Sequence, residues 1–312
     1  MADTRLAALL SNPPLLMDGA MGTELDRRGT SIASTDWVAS TLGAPDDVAA
    51  IHKSYAEAGA ELHIANTFAT ARHVLAEVGL ADRFEDLNRD AVAQCRTSIE
   101  AVGAGPCWIA GSISTYMIGS DRGRLPAHGE LLRNASDQAA ILADEDCHMI
   151  VLEMLHDVET SACLMEAAAI TGLPVSVGLT VVFDEDRRPV MRGLKTGTST
   201  GQLSLEAALP PLLTQMEGDY PWILTLMHSD LDETDAALDV VRSHWDGPIG
   251  VYPNSGKFTD GYGWDHRAIC TPQEFSAHAS AWADAGAAFI GGCCGIGPDH
   301  IRAFAEAQKA QV

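Results

Sequence analysis

The chain has 312 residues, 46% of them hydrophobic, enough for a sizeable core and too many for general disorder. Its 43 acidic residues against 20 basic ones give a net charge of −23, which repels phosphate backbones and anionic bilayers, so neither nucleic acid nor membrane is expected as a partner. A short N-terminal apolar stretch carrying Asp3, and no run near the roughly 18 apolar residues of a membrane span, point to a cytoplasmic protein.

Eight short apolar runs recur along the chain, at residues 15–18, 61–68, 107–114, 148–155, 174–181, 222–229, 248–254 and 287–294. They read as strands buried on both faces. Helical patterns lie between them, at 47–58, 83–102, 136–146, 159–171, 234–244, 272–285 and 298–308. Asp46 and Ser136 are expected as N-caps, Pro272 and Pro298 in first turns, and Gly59 and Gly172 at helix ends. The alternation predicts an α/β protein with a parallel sheet. Eight such units in 312 residues predict a (β/α)8 TIM barrel forming a single domain over residues 1–312, with a doubly wound sheet as the alternative.

Long connections follow strands, at 19–46, 115–130, 183–204 and 255–271, each beyond the usual loop of about 4–6 residues. In a barrel all four lie on the C-terminal face, where active sites are built. The third is rich in glycine and threonine between Arg192 and Gly201, and serves either as a mobile cover or as surface decoration.

The runs end in polar residues: Asp18, Asn66, Ser112, Glu153, Thr180, His228, Asn254 and the pair Cys293–Cys294. On one barrel rim these would converge, and polar groups ending apolar strands need partners there. Singly, each is also an ordinary cap or turn residue. In a regular strand adjacent side chains point opposite ways, but Gly291, Gly292 and Gly295 let the chain leave the pleat and turn both sulfurs to one point. A soft ion such as zinc suits that pair; two small hydrophobes in a tight turn are the alternative. The seven cysteines are odd in number and otherwise scattered, which does not suit a disulfide framework. A catalytic zinc needs a further protein ligand and an open position. His228 would complete a Cys2His set, with His63, His148 and His156 as competitors.

Several stretches together resemble one family. Leu16-Met17-Asp18-Gly19-Ala20-Met21-Gly22-Thr23-Glu24-Leu25 resembles the opening signature of the homocysteine S-methyltransferases. So do Ile51-His52 with Tyr55, Ala58-Gly59-Ala60-Glu61, Asn66-Thr67-Phe68, Ala110-Gly111-Ser112-Ile113 and Ile150-Val151-Leu152-Glu153. Val251-Tyr252-Pro253-Asn254-Ser255-Gly256 and Gly291-Gly292-Cys293-Cys294-Gly295 complete the series, which covers nearly the whole chain. The resemblance implies a (β/α)8 barrel and a Zn2+ held by three cysteines, two of which match Cys293 and Cys294. The third ends the sixth strand in a Gly-x-Asn-Cys pattern, where this chain has Thr225-Leu226-Met227-His228. An imidazole in place of a thiolate removes one negative charge from the metal. The zinc then holds a substrate thiolate more tightly and leaves it a weaker nucleophile. The alternative is that His228 is no ligand and the chain has left the family's chemistry.

The chemistry implied by the resemblance is transfer of a methyl group from a small onium donor to the thiol of homocysteine, giving methionine. A free thiol has a pKa of about 8.5, so coordination is needed to make it a thiolate at neutral pH. The transfer is an in-line displacement, and the protein's main task is positioning. The resemblance assigns the amino group of homocysteine to Asp18 and Glu153, and its carboxylate to backbone N–H groups near Gly19 and Ala20. Asn66 and Phe68 are expected to line the same site. Relatives that use methylfolate through cobalamin carry further domains, for which one barrel filling this chain leaves no room. The expected donor is therefore S-methylmethionine, another sulfonium, or betaine, and Trp37, Phe68, Tyr116, Tyr262 and Trp264 are the candidates for an aromatic cage. The rivals are a barrel enzyme using Cys2His zinc to activate water, and a non-catalytic zinc- or thiol-binding relative.

Overall fold

The computed structural model describes residues 4–11, 13–30, 38, 42–103, 107–116, 125–193, 202–259 and 263–311. Trp37 and Tyr262, and residues 194–201 of the glycine- and threonine-rich connection, lie outside the described residues. The strands in chain order are β1 (Leu15–Leu16), β2 (Leu62–Ile64), β3 (Trp108–Ser114), β4 (Met149–Leu155), β5 (Val175–Leu179), β6 (Val181–Phe183) and β7 (Pro189–Met191). They continue as β8 (Trp222–Asp230), β9 (Ile249–Asn254), β10 (Lys257–Thr259), β11 (Gly263–Asp265) and β12 (Phe289–Ile290). Eight of them form one sheet in the order β1-β12-β9-β8-β5-β4-β3-β2, and every pairing within it is parallel. A parallel bridge from Met17 to Leu62 joins the two ends. The sheet is thus closed into a (β/α)8 TIM barrel.

Each barrel strand is followed by a long helix: Pro45–Ala58, Phe84–Glu100, His128–Asp144, Val158–Ala169, Leu205–Gln215, Leu231–Arg242, Pro272–Asp284 and Pro298–Gln311. The helices form because their apolar residues recur at helical spacing. Phe84–Glu100, for example, buries Phe84, Asn88, Val92, Cys95 and Ile99 against the sheet. Thr271 and Glu274 make a reciprocal capping box ahead of Pro272, and Gly59 ends the Pro45–Ala58 helix with φ 103°. Two expected caps are corrected. Asp46 lies inside its helix, whose N-cap is Ala44, and Ser136 lies a turn or more inside a helix capped by Ala127. The helix Leu205–Gln215 was not anticipated, because Pro210 and Pro211 interrupt its pattern. No helix among the described residues is long and apolar enough to cross a membrane.

Strand parity divides the core. Leu15, Met17, Leu62, Ala110, Met149, Val151, Ile223, Met227, Tyr252 and Phe289 fill the inside of the barrel. Their neighbours Leu16, Ile109, Ile150, Leu152, Leu224, Leu226, Val251 and Ile290 pack outward against the helices. Two small antiparallel hairpins, β6–β7 and β10–β11, rise after β5 and β9.

Candidate active site

Parity continues to the C-terminal rim for some polar residues. Ser112 follows Ala110 inward on β3, Glu153 follows Met149 and Val151 on β4, and Asn254 follows Tyr252 on β9. His228 does not obey it, since Met227 before it already faces inward. The backbone there supplies the correction. His228 has φ 56°, a left-handed conformation unusual for a side-chain-bearing residue, and the β8–β9 register slips between Met227 and Asp230. The bulge turns the imidazole into the barrel mouth. Met154 shows the same device, with φ 58° and a register slip between Leu152 and Leu155 beside Glu153.

The two bulged strands aim their side chains at one another. Nε2 of His228 lies 3.0 Å from Oε2 of Glu153, and Oε1 of Glu153 accepts from the Ser112 hydroxyl at 2.5 Å. The other ring nitrogen, Nδ1, lies 3.2 Å from Sγ of Cys293. Cys293 and Cys294 have their sulfurs 4.0 Å apart. The loop that carries them is laced to its neighbours: Gly292 N–H donates to the Asp18 carbonyl, Cys293 N–H to Pro253 and Ser255 N–H to the Cys294 carbonyl. The adjacent Cys294 thiol, and then burial, push the Cys293 thiol well above its ordinary pKa.

Asp18 lies at the end of the first apolar run. Its Oδ1 accepts from the Tyr252 hydroxyl at 3.0 Å, and its Oδ2 from the Ile64 N–H at 2.9 Å. Burial dominates those bonds and pushes its pKa to about 8. Around these residues lies a cavity of about 360 Å³. Asp18, Gly19, Ala20, Asn66, Phe68, Glu153, His228, Asn254, Cys293 and Cys294 line it, together with Tyr116, Trp264, Tyr252, Met154 and Arg192. Oδ1 of Asn254 is buried there without a hydrogen-bond partner among the described residues. Phe68 sits between Tyr116, at 5.1 Å between ring centroids, and His228, at 6.0 Å.

Most expected rim residues therefore meet in one place. Thr180 does not reach the cavity, and Ser112 acts beneath it through Glu153. Ala20 lines the wall, but its N–H is already donated to Ile296 at 2.9 Å, which corrects the expectation that it takes a carboxylate. Tyr252 and Arg192 were missed as site residues. Tyr252 carried a signal, standing in the Val251–Ser255 motif two residues before Asn254. The competing histidines lie elsewhere. His148 accepts from Ile109 N–H at the opposite end of β4, while His63 and His156 do not line the cavity.

Zinc chemistry can be tested against these donors. Bonds of about 2.3 Å to sulfur and about 2.0–2.1 Å to nitrogen in a tetrahedron separate two sulfurs by about 3.8 Å, and sulfur from nitrogen by about 3.6 Å. The distances of 4.0 and 3.2 Å lie within about 0.4 Å of two edges of that figure. The full set of three does not fall within 4.8 Å of one another, so the third edge, from His228 to Cys294, is wider than zinc spacing. The donor types, two thiols and an imidazole with two edges near zinc spacing, suit that ion. Among the described residues Asp18, His52 and His63 do cluster within 4.8 Å. Burial lowers the pKa of His52 to about 3 and of His63 to about 4. Neither histidine lines the cavity, and of the three only Asp18 faces it.

A parallel barrel whose mouth gathers a thiol pair, an imidazole and two acids around one cavity has the layout of an enzyme active site. Comparison with known proteins gives the family. A family model described as homocysteine S-methyltransferase matches residues 15–308. The chain is 29% identical to the homocysteine S-methyltransferase of Escherichia coli (strain K12), over 96% of this chain and 97% of that protein. It is 28% identical to the methionine synthase of Mycobacterium tuberculosis over 98% of its own length, but spans only 25% of that longer protein. The crystal structure of the metallated homocysteine methyltransferase MmuM from Escherichia coli superposes with a TM-score of 0.76 at 25% identity, covering 99% of this chain and 100% of that one. The chain belongs to the homocysteine S-methyltransferase family and is a methyltransferase.

Proposed function

We propose that this methyltransferase moves a methyl group from a small onium donor to the thiol of homocysteine, forming methionine, with zinc bound by Cys293, Cys294 and His228. The observation that carries this reading is the contact of His228 Nδ1 with Cys293 Sγ at 3.2 Å, beside the second sulfur. It supports a histidine in the role of the family's third cysteine. Zinc held by these donors would lower the pKa of an added thiol and supply the sulfur as a thiolate at neutral pH.

The remaining work falls to the chain's own groups. Asp18, on the cavity wall, suits the α-ammonium of the acceptor, with Glu153 across the mouth adding negative potential. The Gly19 N–H makes no hydrogen bond among the described residues and suits the carboxylate. Asn254 Oδ1 offers one more unmet acceptor. Phe68, Tyr116 and Trp264 present aromatic surface on the same wall, which suits a methylated cation, and sulfonium places less demand than quaternary ammonium on a nucleophile weakened by imidazole ligation. Holding both methyl carbon and sulfur in one closed space supplies the rate through orientation.

The test is direct. Zinc-loaded protein is incubated with homocysteine and, in turn, S-methylmethionine, a dimethylsulfonium compound lacking an amino group, and betaine, and methionine is measured. Methionine from a sulfonium donor is expected. Zinc-replete protein that forms none with any of the three would sink the reading.

A further inference from the structure

Glu153 has both oxygens engaged by the protein before any substrate arrives, one by Ser112 and one by His228. An ionised carboxylate only accepts, so with Glu153 in that form the contact at 3.0 Å calls for a proton on Nε2 of His228. A neutral ring in that tautomer would present a lone pair at Nδ1, the atom facing Cys293. We infer that Glu153 is a positioning residue for the metal: it fixes the tautomer and tilt of His228 and returns to the ligand set part of the electron density lost where imidazole replaces thiolate. This rests on the proposed role of His228 as a zinc ligand.

Two further observations show that the pair is built. β4 and β8 are not neighbours, since β5 lies between them, yet each breaks its register at the rim and takes a left-handed residue there. Such backbone is held only where surrounding contacts over-determine it. Here the Thr115 hydroxyl holds the Met154 carbonyl, and Ser229 Oγ donates to the Met227 carbonyl at 3.3 Å while accepting from Val181 N–H at 2.9 Å. The second point concerns burial. Ring and carboxylate are 8% and 7% exposed at the side chain, so solvent screens the bond little. A carboxylate behind a ligating imidazole raises the ligand's basicity, and losing such a partner weakens metal binding by about 10–100-fold.

The experiment measures zinc affinity by chelator competition in wild type, Glu153→Ala, Glu153→Gln, Ser112→Ala and His228→Ala. A long-range 15N spectrum of the metal-free proteins reads the His228 tautomer. Glu153→Ala is expected to weaken zinc about 10–100-fold and to mix the tautomers. Glu153→Gln keeps the shape and an acceptor oxygen, so it should lose less zinc affinity and keep the Nε2–H tautomer. Ser112→Ala should fall between wild type and Glu153→Ala. If His228→Ala loses zinc while both Glu153 variants bind it as wild type does with the tautomer unchanged, this inference fails and the zinc reading stands. If His228→Ala binds zinc as wild type does, His228 is no ligand and both fail.

Discussion

The Tyr252 hydroxyl donates to Oδ1 of Asp18 at 3.0 Å, yet the carboxyl it serves has its pKa raised to about 8. Burial outweighs two hydrogen bonds, so the free enzyme at neutral pH keeps a proton on Asp18. An arriving ammonium must displace that proton. Binding of a competitive amino acid without a thiol, which removes any contribution from sulfur ionisation, should therefore strengthen about tenfold per pH unit up to about 8 and level off above. Calorimetric titration checks this, and a flat profile from pH 6 to 8 would place the ammonium elsewhere.

The same group sets a stability slope. A carboxyl at 3.8 when unfolded and about 8 when folded leaves the folded state holding the extra proton between those values. Stability is then greatest below the lower value and falls as pH rises through the window. Asp18→Asn removes the slope. The variant should match wild type near pH 4 and exceed it by up to about 5 kcal/mol near pH 8, about 1.4 kcal/mol for each unit between the two values, while binding homocysteine poorly. Urea melts at the two pH values test it; a variant less stable at pH 8 than at pH 4 relative to wild type contradicts the sign.

Gly291 leaves no room for a side chain. A Cβ there would meet the Asp18 carbonyl at 2.6 Å, Met17 Cβ at 2.6 Å and a Tyr252 ring carbon at 2.8 Å. Gly291→Ala should cost about 2 kcal/mol or more and weaken zinc binding, because the cysteine loop must lift. Gly286→Ala is the control. It has φ 87° but open space, so it should cost about 1 kcal/mol and leave zinc affinity unchanged.

Phe68 is the aromatic residue placed between Tyr116 and His228. If it faces the donor's charge, Phe68→Leu loses about 1 kcal/mol of cation–π attraction. The donor's KM should rise about fivefold, with zinc content and homocysteine KM unchanged. An equal rise for both substrates would show a packing role instead.

The barrel was legible because eight buried runs and seven of the eight helices carry regular hydrophobic patterns. The eighth helix was hidden by Pro210 and Pro211, which cost it pattern without preventing it from packing Leu205, Leu209 and Leu212 inward. At the rim, Asp18, Glu153, Asn254 and the cysteines were found as polar ends of apolar strands. The pairing of Glu153 with His228 was not. Counting alternate residues from Met227 sends His228 outward, and only a left-handed turn reverses it. That turn has no glycine to announce it. Tyr252 was passed over for the opposite reason, since an aromatic inside a strand reads as packing until its hydroxyl is seen on Asp18.

The bond from Gly292 to the Asp18 carbonyl ties the backbone beneath the two sulfurs to the backbone beneath the acid. On the proposed reading, these hold opposite ends of one acceptor molecule. The spacing of these two backbones is a property of two paired strands, which no side-chain rotation can lengthen. The enzyme would then act as a ruler, sorting amino-acid thiols by the number of carbons between sulfur and nitrogen. Cysteine, one carbon shorter than homocysteine, would have to release one end to grip the other.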